Sequence, residues 1–298
     1  MCQTMQELDH IRTESEGTSA MRSHLFASTL AIALGIGSPI VSAIVFPEVA
    51  VAQSVAEQKK EADRLLEQGI QQYKISQFTE ALQSLQKTLS LYRKIKDYKG
   101  ESETLFRISQ IYRNRQQYPE VLEIYQQALA IHKKANDLTS ESDTLGNMGI
   151  IYRILANYSK ALEVHQQALA IREKVGNRQG IGNTLNSIAM VYGSLGDYPK
   201  ALAFYQRSLE IRNEVSDAYG KYITLENIGD TYLTMRNDSK ALEVYHQALA
   251  VAGPTGMNGM RVTIFGRDGK PRQTFYNDLG TGSSLQQFQI QNLKMSSP

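Results

Sequence analysis

Residues 141–180 read ESDTLGNMGIIYRILANYSKALEVHQQALAIREKVGNRQG, and most of the chain is this stretch again, displaced by forty residues or a multiple of forty. Ala81, Val121, Ala161, Ala201 and Ala241 form one column, and Leu82, Leu122, Leu162, Leu202 and Leu242 the next. Tyr112, Tyr152, Tyr192 and Tyr232 form another, while Gly100, Gly180 and Gly220 mark the ends of units. A fixed period of roughly 20–50 residues is the signature of a solenoid, whose units bury their apolar faces only against one another. The units fall at 61–100, 101–140, 141–180, 181–220 and 221–253, the last cut short at Gly253-Pro254.

Each unit reads as two helices. Leu145, Met148, Gly149 and Tyr152 fall at i, i+3, i+4 and i+7, one apolar stripe of a first helix. Ala161, Leu162, His165, Ala168, Leu169 and Ile171 do the same for a second. Asn157-Tyr158, or Gly196-Asp197-Tyr198 in the next unit, makes the turn between them. Thr79, Pro119, Ser159, Pro199 and Ser239 then stand where an N-cap or first-turn residue is wanted. Gly176 suits the left-handed residue that ends a helix.

Two columns stay small. Gly69, Ser109, Gly149, Ala189 and Gly229 lie in mid-helix, where Gly costs about 1 kcal/mol relative to Ala. Thr88, Ala128, Ala168, Ser208 and Ala248 are their counterparts on the second helix. Such a cost is tolerable where another helix backbone packs closely, so a tight antiparallel pair is expected.

These columns resemble the tetratricopeptide repeat (TPR) family: Leu145, Met148-Gly149, Tyr152, Ala161, His165 and Ala168, and again Leu225, Ile228-Gly229, Tyr232, Ala241, Tyr245 and Ala248. Leu stands in place of the usual Trp, which the chain lacks. The spacing of forty, against the family's common 34, is similar to the kinesin-light-chain-like subgroup. The resemblance implies an all-α, right-handed TPR solenoid of about five helix–turn–helix repeats. It also implies a non-enzymatic protein–protein interaction scaffold that binds an extended peptide or a partner protein in its concave groove. Arrays of similar look in secreted bacterial proteins are often fused to a caspase-like (CHAT) domain, for which the stretch after Pro254 is too short. Alternatives are therefore a truncated regulatory array of such a protease system, or a cytosolic TPR adaptor.

The rest of the chain is read around the array. A net charge of +2 gives no reason to expect nucleic acid as a partner. Residues 1–20 are a polar leader that is expected not to be translated, with Met21 as the start. Residues 21–52 have the order of a signal peptide: Arg22 and His24, an apolar core from Leu25 to Leu34, and Ala50-Val51-Ala52 ahead of Gln53. Export to the periplasm or the extracellular space is expected, with cleavage before Gln53. An uncleaved apolar segment would instead anchor the chain and give its only membrane contact. Gly35, Gly37 and Pro39 interrupt that run, whereas a span wants about 20 apolar residues. The only cysteine, Cys2, lies upstream of the apolar core and cannot be a lipoprotein cysteine. Residues 53–60 read as a polar linker and 254–298 as a mostly disordered tail, in which Arg261–Phe265 suits a strand and Ser284–Met295 a short helix.

Nothing in the sequence calls for catalysis, a cofactor or a metal. No metalloprotease, P-loop or nucleophile-elbow motif occurs. His165 shares the column of Tyr125, Tyr205 and Tyr245 and reads as packing; His132 shares that of Arg172 and Arg212 and reads as a solvated helix edge.

A binding face is more legible. Opposite the buried stripe of each first helix lie Glu103, Phe106, Gln110 and Arg113; Asp143, Gly146, Ile150 and Arg153; Asn183, Asn186, Met190 and Gly193; and Ile223, Glu226, Asp230 and Leu233. They vary from unit to unit while the packing columns repeat. In similar TPR proteins asparagines on this face hold the backbone of an extended peptide, which implies that role for Asn147, Asn186 and Asn227. An amide offers both donor and acceptor to a peptide unit. Arg107 and Ser187 interrupt that ladder.

Overall fold

The computed structural model describes residues 47–252, 261–265 and 271–276. Ten helices follow in order among them: α1 Pro47–Lys74, α2 Phe78–Ile95, α3 Tyr98–Asn114, α4 Tyr118–Ala135, α5 Leu138–Ile154, α6 Tyr158–Lys174, α7 Arg178–Ser194, α8 Tyr198–Glu214, α9 Ala218–Thr234 and α10 Asp238–Ala252. Odd-numbered helices are the first of each unit and even-numbered helices the second. Each helix from α3 onward packs on its neighbours in the chain, and α5 also touches α7, as α7 touches α9. This is the solenoid of about five helix pairs that the period implies.

The punctuation is finer than the repeat. Ser76, Lys96, Gln116, Asn136, Ala156, Gly176, Gly196, Ser216 and Arg236 all have positive φ, one at every twentieth residue. Each ends a helix in the same way. At the α4–α5 junction the Asn136 N–H donates to Lys133 O at 3.1 Å and the Asp137 N–H to His132 O at 2.9 Å, which is the Schellman arrangement. Except at Gln77 and Gln117, whose side chains make no cap bond, the residue after the left-handed one then caps the next helix. Asp97, Asp137, Asn177 and Asp217 accept from the N–H of Gly100, Ser140, Gly180 and Gly220 at 2.8–3.0 Å. Asn157, Asp197 and Asn237 accept from Lys160, Lys200 and Lys240 at 3.2–3.3 Å. One residue thus closes one helix and opens another. Thr79, Pro119, Ser159, Pro199 and Ser239 sit in first turns but are not the caps.

The alanine column is the centre of the packing: Ala81, Val121, Ala161, Ala201 and Ala241 are all 0% exposed. The small mid-helix residues are explained by a side chain of the second helix rather than by its backbone. A Cβ on Gly149 would fall 2.5 Å from Nε2 of His165, and one on Gly229 would fall 2.5 Å from Cε1 of Tyr245.

Several expectations need correction. The stretch 53–60, read as a linker, is helical and lies within α1. Gly100, Gly180 and Gly220 do not end units but lie in the first turns of α3, α7 and α9. His132, Arg172 and Arg212 are not a solvated edge; they are 7%, 8% and 4% exposed. After the array, Arg261–Phe265 (β1) pairs antiparallel with Pro271–Tyr276 (β2), from Arg261 opposite Tyr276 to Phe265 opposite Pro271, with a register shift at Ile264/Phe265. The start at Met21, the apolar core of the leader and the helix expected at Ser284–Met295 lie outside the described residues. No helix among the described residues is long and apolar enough to cross a membrane.

Candidate binding groove

Helices α3, α5, α7 and α9 present one wall of a cavity of about 880 Å³. Of the residues expected on the binding face, Glu103, Phe106, Asp143, Asn147, Ile150, Asn183, Asn186 and Met190 line it. Gln110, Arg113, Arg153, Glu226, Asn227 and Asp230 are not among its lining residues. Phe106 is 40% exposed, an apolar side chain left open at one end of the groove. Asn186 is buried, and its Oδ1 accepts from Nδ2 of Asn227 at 3.1 Å. Two members of the asparagine ladder therefore hold each other.

The floor is made by second-helix residues that the sequence reading left out: Tyr125, His132, His165, Arg172 and Arg212. Arg172 Nη1 donates to Thr184 Oγ1 at 2.6 Å and to Gly180 O at 3.0 Å, and Nη2 to Asp143 Oδ1 at 2.6 Å. One unit along, Arg212 Nη1 donates to Asp217 at 2.5 Å, Nη2 to Asn183 Oδ1 at 2.9 Å and Nε to Ser208 Oγ at 3.1 Å. A Cβ on Gly180 would fall 2.8 Å from Cδ of Arg172, and one on Gly220 would run into the Arg212 guanidinium. The glycines that look like repeat markers are the gaps through which these arginines pass. The signal was present in the sequence: a long polar column on the second helix faces a Gly or Ser column eight residues later.

Charges in the groove are compensated internally. Glu103 pairs with Arg107, Asp143 with Arg172 and Asp217 with Arg212. Burial lowers the pKa of His165 to about 4, with Arg172 and Arg153 adding to the effect. Burial also lowers that of His132, against Asp137, Glu141 and Asp143, which pull the other way. Both rings are neutral at neutral pH. His132 Nε2 lies 2.8 Å from Ser102 Oγ, but its Nδ1, both ring nitrogens of His165 and the Tyr125 hydroxyl are buried without a hydrogen-bond partner among the described residues. In the later units the same column is satisfied. Tyr245 donates to Asp230 at 2.5 Å, and Tyr205, pushed up to about 12 by burial, has Thr231 as its hydroxyl's partner. Glu226, its pKa raised by burial, accepts from Tyr222 at 2.6 Å.

Among the described residues no group of His, Cys, Asp and Glu is arranged to hold a metal ion. The tetratricopeptide repeat family model matches residues 61–134, 107–174, 140–214 and 180–252, a continuous cover of the array.

The chain belongs to the TPR family.

Solved structures with the same fold include the nearly identical kinesin-light-chain TPR-like repeats of Podosopora anserina, at 16% identity, TM-score 0.54, covering 67% of this chain and 98% of that one. Aspartyl phosphate phosphatase F from Bacillus subtilis matches at 20% identity, TM-score 0.61, covering 80% and 63%. A Rap protein complexed with competence and sporulation factor matches at 19% identity, TM-score 0.54, covering 64% and 54%. At these identities the likeness concerns the fold. No curated protein matches the chain.

Proposed function

We propose that this TPR array is a non-enzymatic scaffold that takes an extended segment of a partner protein along the groove of its first helices. The observation that carries the reading is the cavity itself. Its walls come from columns that vary between units, with Phe106 exposed and the half-buried Ile150 and Met190 lining the cavity. Open apolar patches of this kind mark interaction sites.

Charge gives the segment a direction. Among the described residues, Arg113 and Arg153 at one end of the face and Glu226 and Asp230 at the other make no salt bridge. A partner with acidic residues toward the second and third units and basic ones toward the fifth complements them, and such charge sets direction and on-rate more than affinity. The test is capture of a partner by the purified array, repeated with Phe106→Glu and with Arg113→Glu/Arg153→Glu. Unchanged capture by Phe106→Glu sinks the groove reading. An unchanged salt dependence in the double variant sinks the direction.

We further propose that the array works outside the cytoplasm, its leader being removed before Gln53. The order of charged, apolar and small residues over 21–52 supports this. N-terminal sequencing of the exported chain decides it. A start at Met21 recovered with membranes favours an anchor.

A further inference from the structure

Three polar heads in the floor of the groove stand out because their counterparts elsewhere in the array are satisfied. Tyr125 and His165 occupy the column of Tyr205 and Tyr245, and of these four only the first two lack partners among the described residues, although they are 3% and 1% exposed. His132, 7% exposed, leaves its Nδ1 unpaired. All three line the same cavity, between the second and third units. A buried donor or acceptor left unmade is costly, so such groups are rare without a reason. The unpaired set lines the same cavity as Phe106, Asn147 and Ile150.

The chemistry of what would pair with them follows from the charges. Every ionised residue lining the cavity is already in an ion pair, Asp143 with Arg172, Glu103 with Arg107 and Asp217 with Arg212. A charged side chain entering this part of the groove would lose its water and meet no free counter-charge on the lining, since Arg153, unpaired but near enough to act on His165, stands off it. An uncharged hydrogen-bonding group meets the opposite situation. A neutral imidazole offers one donor and one acceptor, a phenol one donor, and Asn147 an amide. A peptide unit needs such a mixed set, and the apolar walls at Phe106, Ile150 and Met190 receive side chains beside it.

We infer that the floor between the second and third units recognises an uncharged stretch of extended polypeptide, whose main chain satisfies Tyr125 and His165. This rests on the groove reading above and says which part of the groove discriminates and what it accepts. The unpaired atoms are closed off from water, so the occupant reaches them as lining side chains shift. Met190, unbranched and on the lining, is suited to that movement. Complementary charges then belong only to the flanks of the segment, outside this centre.

The test uses a displayed library of random peptides selected on the purified full chain, with affinities measured on the enriched sequences. The expected result is a consensus uncharged at its centre, weakened at least about tenfold by Tyr125→Phe and by His165→Phe, as the loss of one made hydrogen bond implies. Tyr205→Phe, whose hydroxyl is engaged within the array, leaves binding as it was. Adding an enriched peptide to the full chain should also shift the side-chain nitrogen resonances of His165. Peptides that instead carry a carboxylate at the centre, and that lose affinity with Arg153→Ala but not with Tyr125→Phe or His165→Phe, overturn this inference and leave the groove reading standing. Peptides indifferent to Phe106→Glu overturn both. A selection that enriches nothing from a chain shown by circular dichroism to be folded also counts against it.

Discussion

Arg172 on α6 and Asp143 on α5 are joined by a 2.6 Å ion pair in which the guanidinium is 9% exposed and the carboxylate 59%. The two partners are therefore unequal. Removing the carboxylate's charge by Asp143→Asn leaves Arg172 bonded to Thr184 and Gly180 and should cost under about 1 kcal/mol, as for an exposed partner. Arg172→Leu strips the same two groups of a buried donor and should cost about 2–3 kcal/mol. Urea midpoints of the two variants decide this; equal midpoints mean that the guanidinium is dispensable to the junction between units.

The left-handed turn residues give a second, oppositely signed pair. Ala156 and Gly196 hold equivalent positions at φ 56° and 78°. An L side chain there carries a penalty of roughly 1–2 kcal/mol that glycine avoids, offset in part by glycine's greater freedom when unfolded. Ala156→Gly should raise stability by about 0.5–1 kcal/mol and Gly196→Ala should lower it by a similar amount. Shifts of the same sign in both would mean that the twenty-residue punctuation does not govern the turns.

Neighbouring residues test the packing column. Ala201 is fully buried, whereas the Lys200 side chain is 62% exposed and pairs with Asp197. Ala201→Arg forces volume and charge into the contact between α7 and α8 and should cost several kcal/mol. Lys200→Ala removes an exposed pair and should leave the stability almost unchanged. Because units contact only their neighbours, the damage should spread from the middle of the array, visible as hydrogen exchange lost first in α7 and α8.

The solenoid was legible because packing demands repeat. Ala161 must be small in every unit and Tyr152 apolar, so the columns announce themselves at a period of forty. The turns were less legible because the left-handed signal is read from glycine, and only Gly176 and Gly196 supply it; Ser76, Lys96, Gln116, Asn136, Ala156, Ser216 and Arg236 adopt the same geometry without it. The groove floor was misjudged for a different reason. Arg172 and His132 look solvent-facing as residue types, and their burial depends on the small partner at Gly180 or Ser140, visible only when two columns are read together. That Asn186 pairs with Asn227 depends on the distance between adjacent units, which no single column records.

His165 sets the response to acid. Its folded pKa of about 4 lies below the ordinary 6.5, so between those values the unfolded chain holds a proton that the folded one rejects. Stability from this residue is complete above about pH 6.5 and declines as the pH falls toward 4, at about 1.4 kcal/mol per unit and on the order of 3 kcal/mol in all. His132, shifted in the same direction, adds to the loss. His165→Phe keeps an aromatic ring against Gly149 and has no proton to exclude. Its stability, measured by urea denaturation at steps from pH 7 to pH 4, should fall less steeply than that of the parent chain, and the difference between the two curves should be flat above pH 6.5. Parallel curves throughout would mean that His165 meets water in the folded array and that the groove floor is open where the structure closes it.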